Sequence, residues 1–222
     1  MKARQKTIVK RIVDACMTVL LLLLMAYQVT GETLHEWFGI GMTVLLILHH
    51  VLNRRWYAAL FKGTYNALRV VTVFVNTLLL AAIALTALCG MAMSAHAVPF
   101  LYGMLPVSFA RQFHLAMSHW SFLLMGLHLG LHLPVMTAGF HWSGKRKKAA
   151  LVVFGAIACV GFWFFIQNGI PAYLFFRTPF AFFDFNKSAA LVFVENLTTL
   201  LAFAFLGTVC AVWAGRKGKH RR

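Results

Sequence analysis

Acidic residues are scarce: five Asp and Glu stand against 21 Lys and Arg in 222 residues. In a soluble protein a net charge of +16 would suggest a nucleic-acid binder. Here the cations fall between long apolar runs, on alternate connections, which is the arrangement of a multi-span membrane protein. Nucleic acid is therefore excluded as a partner. Cysteine is sparse as well. Cys16, Cys89, Cys159 and Cys210 are isolated within apolar segments, with no C-x-x-C pair. Neither a disulfide framework nor a zinc ribbon is expected, and the four are read as small buried hydrophobes. No Gly-rich phosphate loop and no nucleotide-binding pattern occurs. H-E-x-x-H is missing too, because His35-Glu36 is followed by Trp37, Phe38 and Gly39.

What the chain has in abundance is apolar length. Hydrophobic residues make up 61% of it, with a mean hydropathy of +0.76, against about 45–50% apolar in soluble domains. Runs of some 20 apolar residues recur, each enough to cross a hydrocarbon core of about 30 Å. The expected fold is all-α: a polytopic membrane helix bundle, a single integral domain over 1–222. Its six spans are placed at about 12–29, 34–53, 70–92, 113–136, 149–168 and 189–213. All Lys and Arg except Arg111, Arg177 and Lys187 lie on the termini and connections of one side. The positive-inside rule then puts both termini in the cytoplasm. No A-x-A-like cleavage site follows the first apolar run, which is read as a retained span. Asp14 lies near its inner end, where a charge still reaches the interface, and is not singled out as functional. Two outer loops are longer: 94–112, and the Phe-rich 168–188, read as an interfacial segment or a lid.

The histidines carry the functional pattern. His35 and His49 are 14 residues apart on the second span, and His114 and His128 are 14 apart on the fourth. Fourteen residues close to within roughly 40° of whole turns and rise about 21 Å. Each helix thus presents two imidazoles on one face at two depths. Spans two and four run in the same direction, so His35 is level with His114 and His49 with His128. Helix-bundle interiors hold cofactors in this way, and each level supplies the two imidazoles of a six-coordinate b-type haem. Zinc would take a tighter, mixed cluster. C-x-x-C-H is absent, so two haems would be held non-covalently. His50, about 60° further round, is the second choice on span two. His132, one turn beyond His128, is a propionate contact or the alternative ligand. His119 is read as a packed or pocket histidine. His96, at the outer end of span three, is a solvated histidine or an outer-face redox site where a quinone or partner docks. His141 and His220 lie among basic residues and are given no role. Gly39, Gly41, Gly126 and Gly130 suit either close approach of a planar macrocycle or helix packing.

The chain resembles the flavinylation-associated membrane cytochromes, a bacterial family long filed as a domain of unknown function. The motifs are VDACMTVLLLLLMAYQVTGETLHEWFGIG, LHHVLNRRWY, ARQFHLAMSHWSFLLMGLHLGLH and FFDFN, and the resemblance covers about 12–212. It implies a small b-type cytochrome that often works with extracytoplasmic proteins carrying covalent FMN. His35, His49, His114 and His128 match the family's histidines, as do His132 and His96. The family more often has an aromatic where His119 stands, and often an Arg where this chain has Ala95. The FMN would reside on a partner, since this chain has no soluble domain to carry it.

The function expected is electron transfer across the membrane, as a component of an oxidoreductase system rather than a stand-alone enzyme. Electrons would enter from the quinone pool or a cytoplasmic-side donor and leave to an extracytoplasmic flavoprotein or other redox partner. A cytochrome b anchor subunit of a larger oxidoreductase is the near alternative. A non-redox transporter or scaffold is the distant one, and it predicts ionisable residues paired at mid-membrane.

Overall fold

The computed structural model describes residues 3–137 and 143–219. His141, His220 and the basic residues Lys2, Arg221 and Arg222 lie outside the described residues. The described residues form eight α-helices, one short 3₁₀ turn and no strand. These are α1 (Ala3–Met25), α2 (Tyr27–Leu52), α3 (Arg55–Leu60), α4 (Ala67–Met91), α5 (Val107–Met136), α6 (Gly144–Gln167), α7 (Ile170–Leu174) and α8 (Ala189–Lys219), with the 3₁₀ turn at Pro99–Leu101.

Four helices are long and apolar enough to cross a membrane: α2, α4, α6 and the Ala189–Gly215 part of α8. They correspond to four of the six expected spans. The other two, α1 and α5, are also long but more polar. The first half of α1 carries Lys6, Lys10, Arg11 and Asp14, and α5 carries Arg111 and four histidines. Rows of large apolar side chains stay exposed, among them Val44, Ile47 and Val51 on α2 and Leu151, Val152 and Val153 on α6. Contiguous apolar surface of this kind needs an apolar covering, and acyl chains supply one. Three cysteines follow the same rule: Cys16, Cys159 and Cys210 are exposed and only Cys89 is buried. The expectation that all four are buried is corrected, because these three lie on helix faces turned away from the bundle.

The centre is α5, packed between α4 and α8, with α6 against the far side of α8. Phe122, Leu123 and Leu124 of α5 bury against Leu79 of α4 and Leu200 of α8. Glycine sets how closely α5 and α8 approach. A Cβ on Gly130 would stand 2.0 Å from the Ala204 carbonyl oxygen, and one on Gly207 would stand 2.3 Å from that of Leu127. Gly161 of α6 meets α8 in the same way, 2.0 Å from the Thr198 carbonyl. Thr208 Oγ1 donates to the Gly130 carbonyl at 3.2 Å across the closest approach. Small residues and side-chain hydroxyls are the usual cement of helices without a hydrophobic drive between them. Gly126 also faces α8, its Cβ position 2.7 Å from Phe203 Cβ. For Gly126 and Gly130 the packing reading therefore holds, and the macrocycle reading does not.

The α1–α2 pair is a separate hairpin. The chain breaks at Ala26, turns once, and resets at Gly31, whose φ of 71° favours a residue without Cβ. Against α1, α2 packs well; it touches α4 lightly and leaves a gap before α5. That gap positions the site.

Candidate functional site

A partly open cavity of about 1470 Å³ lies between α2, α4 and α5 and is covered by segments 94–98 and 178–184. Ligand pockets commonly measure about 300–1,000 Å³, so this one has room for a large group. His35 from α2 and His114 from α5 meet in it, with ring centroids 5.9 Å apart and planes at 73°. An imidazole nitrogen binds a metal at about 2 Å, so two rings sharing one metal stand with centroids on the order of 6 Å apart. The first pair expected from the spacing is therefore brought together.

Each ring is held differently. His114 Nδ1–H donates to the Thr86 carbonyl on α4 at 2.9 Å. That bond selects the tautomer with a free Nε2, as metal-ligating histidines ordinarily have it. Gly90 lets the ring lie flat on α4, since a Cβ there would stand 3.0 Å from His114 Cε1. On α2, His35 has a buried Nδ1 that closes no hydrogen bond of standard geometry, although the Leu24 carbonyl is near enough to interact electrostatically. Buried polar atoms without partners are few in proteins. Tyr27 sets its edge against the His35 ring at 5.1 Å. Gly39, one turn from His35, lines the cavity and has nothing within 4 Å of its Cβ position. With Nδ1 of His114 held by Thr86 and Nδ1 of His35 buried beside the Leu24 carbonyl, these two histidines and the glycine-floored cavity are the residues that would hold a planar haem.

At the other end of α2 the second quartet gathers more loosely. His49 Nδ1 bonds Asp14 Oδ1 on α1 at 2.7 Å. His128 Nδ1–H donates to Asn76 Oδ1 on α4 at 2.8 Å. His50 Nδ1 is paired with the Tyr57 hydroxyl at 2.6 Å. Ring contacts join His49 to His50 at 5.4 Å and His128 to His132 at 4.7 Å. Among the described residues no ring contact joins the α2 pair to the α5 pair, yet His128 is near enough to sense the charges of His49, His50 and Asp14. The expected pairing of His49 with His128 is thus not seen as a ring contact. Both have a second-helix acceptor on Nδ1, as metal-ligating histidines ordinarily do, although His49 Nε2 also stands 3.5 Å from Asn53 Nδ2.

Several residues at the His35 end were not singled out from the sequence. Glu36 accepts four hydrogen bonds from the loop after α4: Ser94 Oγ at 2.7 Å, and the backbone N–H groups of Ala95, His96 and Ala97 at 3.0, 2.8 and 2.8 Å. This clamp ties α2 to the roof of the cavity. Bonds to a charged acceptor are worth about 1.5–3 kcal/mol each. Glu36→Ala should therefore raise hydrogen exchange at residues 95–97 by about tenfold or more, and unchanged protection would show the clamp to be incidental. His96 itself is exposed and stands beside Glu32 and Glu36, the three donor atoms lying within 4.8 Å of one another. Glu36 is already committed to its four donors there.

His119 lines the cavity, stacked on Tyr173 at 4.7 Å, with Nδ1–H given to Leu115 O at 2.7 Å. That is the pocket role expected of it. Lys187 closes the opposite wall, bonding both oxygens of buried Glu195 at 2.9 Å and Asn168 Oδ1 at 3.0 Å. The 168–188 loop does act as a cover: Phe182 and Phe183 line the cavity, and Phe183 stacks on Tyr27 at 5.4 Å.

Comparison with known proteins finds no matching family model, no matching curated protein and no matching solved structure.

Proposed function

We propose that the chain is a membrane dihaem cytochrome of b type. The observation that carries this is the His35–His114 pair: centroids 5.9 Å apart beside a large cavity, one ring locked by Thr86, the other with its Nδ1 buried beside the Leu24 carbonyl. The motifs quoted above extend the proposal to the flavinylation-associated membrane cytochromes. In this reading all six long helices cross a bacterial inner membrane, both termini and the basic connections are cytoplasmic, and the His35 end faces outward.

Bound haem supplies a one-electron couple at each level; the protein supplies ligation, orientation and electrostatics. His35 and His114 would hold the outer haem, and His49 and His128 the inner one. Thr86, Asn76 and Asp14 aim the rings. Glu36 and the 178–184 segment cover part of the outer cavity. A quinol or other donor delivers electrons at the inner level. An extracytoplasmic FMN-bearing partner takes them from the surface formed by 94–112 and 168–188, where Arg111 and His96 stand exposed.

Sealed vesicles test this. Pre-reduced haem should reoxidise when a soluble FMN-bearing protein is added at the His35 face, and should stay reduced when it is added at the basic face. Reoxidation from the basic face alone would overturn outward transfer and favour an anchor subunit of a larger oxidoreductase.

A further inference from the structure

Five acidic residues are present in the whole chain. Glu32, Glu36, Asp184 and Glu195 all line the cavity at the His35 end. Asp14 alone is placed at the other end, among basic residues. Its neighbour one turn back on α1 is Lys10, which would be the ordinary partner for it. Instead Lys10 Nζ donates to Asn53 Oδ1 at 2.6 Å, and the Asp14 carboxylate bonds His49 Nδ1 on α2 at 2.7 Å. The only acid at this end is thus given to a histidine, although Lys10 and Arg11 stand four and three residues before it in the sequence.

We infer that Asp14 is a positioning residue that acts on the inner iron through His49. This rests on the haem reading above. A carboxylate accepting the Nδ1 proton fixes the tautomer that leaves Nε2 without a proton and makes the imidazole a stronger donor; Nε2 stands 3.5 Å from Asn53 Nδ2, a contact that metal binding would replace. A stronger donor favours ferric over ferrous iron and lowers the potential, because second-shell hydrogen bonding is one of the protein's levers on it. The bond also separates His49 from His50, whose Nδ1 is already held by Tyr57. At the outer level no carboxylate bonds a ligand: His114 Nδ1 is held by the neutral Thr86 carbonyl, and the backbone neighbour of His35 is the neutral Leu24 carbonyl. The acids near that level are directed elsewhere, Glu36 to its four loop donors and Glu195 to Lys187, while Glu32 and Asp184 are exposed to solvent screening. With haem bound, a lower inner potential would favour passage of one electron from the inner level to the outer one. A quinol replaces two such electrons in succession and releases two protons.

The Asp14 side chain is 49% exposed and that of His49 24%, so screening keeps the effect moderate. The test is a spectroscopic redox titration of the purified full chain in a His35→Ala background, where only the inner haem absorbs. Asp14→Asn should raise that haem's midpoint by a factor of about ten in the electron-exchange constant, about 59 mV for one electron. Asp14→Glu should restore most of the difference, and haem content should be unchanged in both. An unchanged midpoint with haem bound overturns the inference. So does equal loss of haem in the Asn and Glu variants, which would make the contact merely structural. Absence of haem from the otherwise unmodified chain would instead sink the functional reading on which the inference rests.

Discussion

Replacing either His35 or His114 by alanine is expected to remove one haem and leave the other, halving the haem content of the purified protein. Their rings stand 5.9 Å apart, so neither can be spared if both bind one iron. His49→Ala and His128→Ala should remove the remaining one, while His50→Ala and His119→Ala should keep both. The distinction has a structural basis. His49 and His128 are each aimed by an acceptor on another helix, Asp14 and Asn76. His50 is tied to Tyr57 of the adjoining short helix α3, seven residues along the sequence, and His119 to its own helix turn. Retention of both haems in His49→Ala together with loss of one in His50→Ala would reassign the inner ligand. Haem counting with difference spectra of each variant decides it.

The second large effect is expected in the α5–α8 contact. A methyl on Gly130 would have to occupy a position 2.0 Å from a backbone carbonyl oxygen, and backbone cannot rotate aside as a side chain can. Gly130→Ala should therefore force the helices apart, at a cost of about 1–3 kcal/mol or more. Unfolding of the purified protein in mixed detergent would report it as a lowered midpoint. Gly39 is the control. Its Cβ position is open, so Gly39→Leu should leave unfolding of the haem-free protein unchanged while lowering haem content, since the new side chain would enter the cavity beside His35. Equal destabilisation by both would mean that the two glycines do the same work.

Much of this was legible in the sequence, for definite reasons. Helix periodicity alone relates His35 to His49 and His114 to His128, and the bundle does bring His35 to His114. The same arithmetic separates the glycines: Gly126 and Gly130 are two residues either side of His128, which at about 100° per residue puts them roughly on the opposite face of α5. That face meets α8, so their packing role was implicit in the numbering. Asp14 and Glu36 were not legible. Each acts across helices, 35 residues from His49 and about 60 from the 94–97 loop, and no local pattern announces such pairs. Lys187 and Glu195 were hidden similarly, since a loop cation and a helix acid meet only when the cover closes. The cysteines misled because apolar flanks mean burial in a soluble core, whereas a helix in lipid turns apolar residues outward as readily as inward.

The most direct test of the account is the haem content of the purified full chain, measured as a pyridine haemochrome against protein concentration. The account predicts a b-type spectrum at about two haems per chain, falling to about one in His35→Ala. A haem-free protein, or a single haem that persists unchanged through both His35→Ala and His114→Ala, would contradict it.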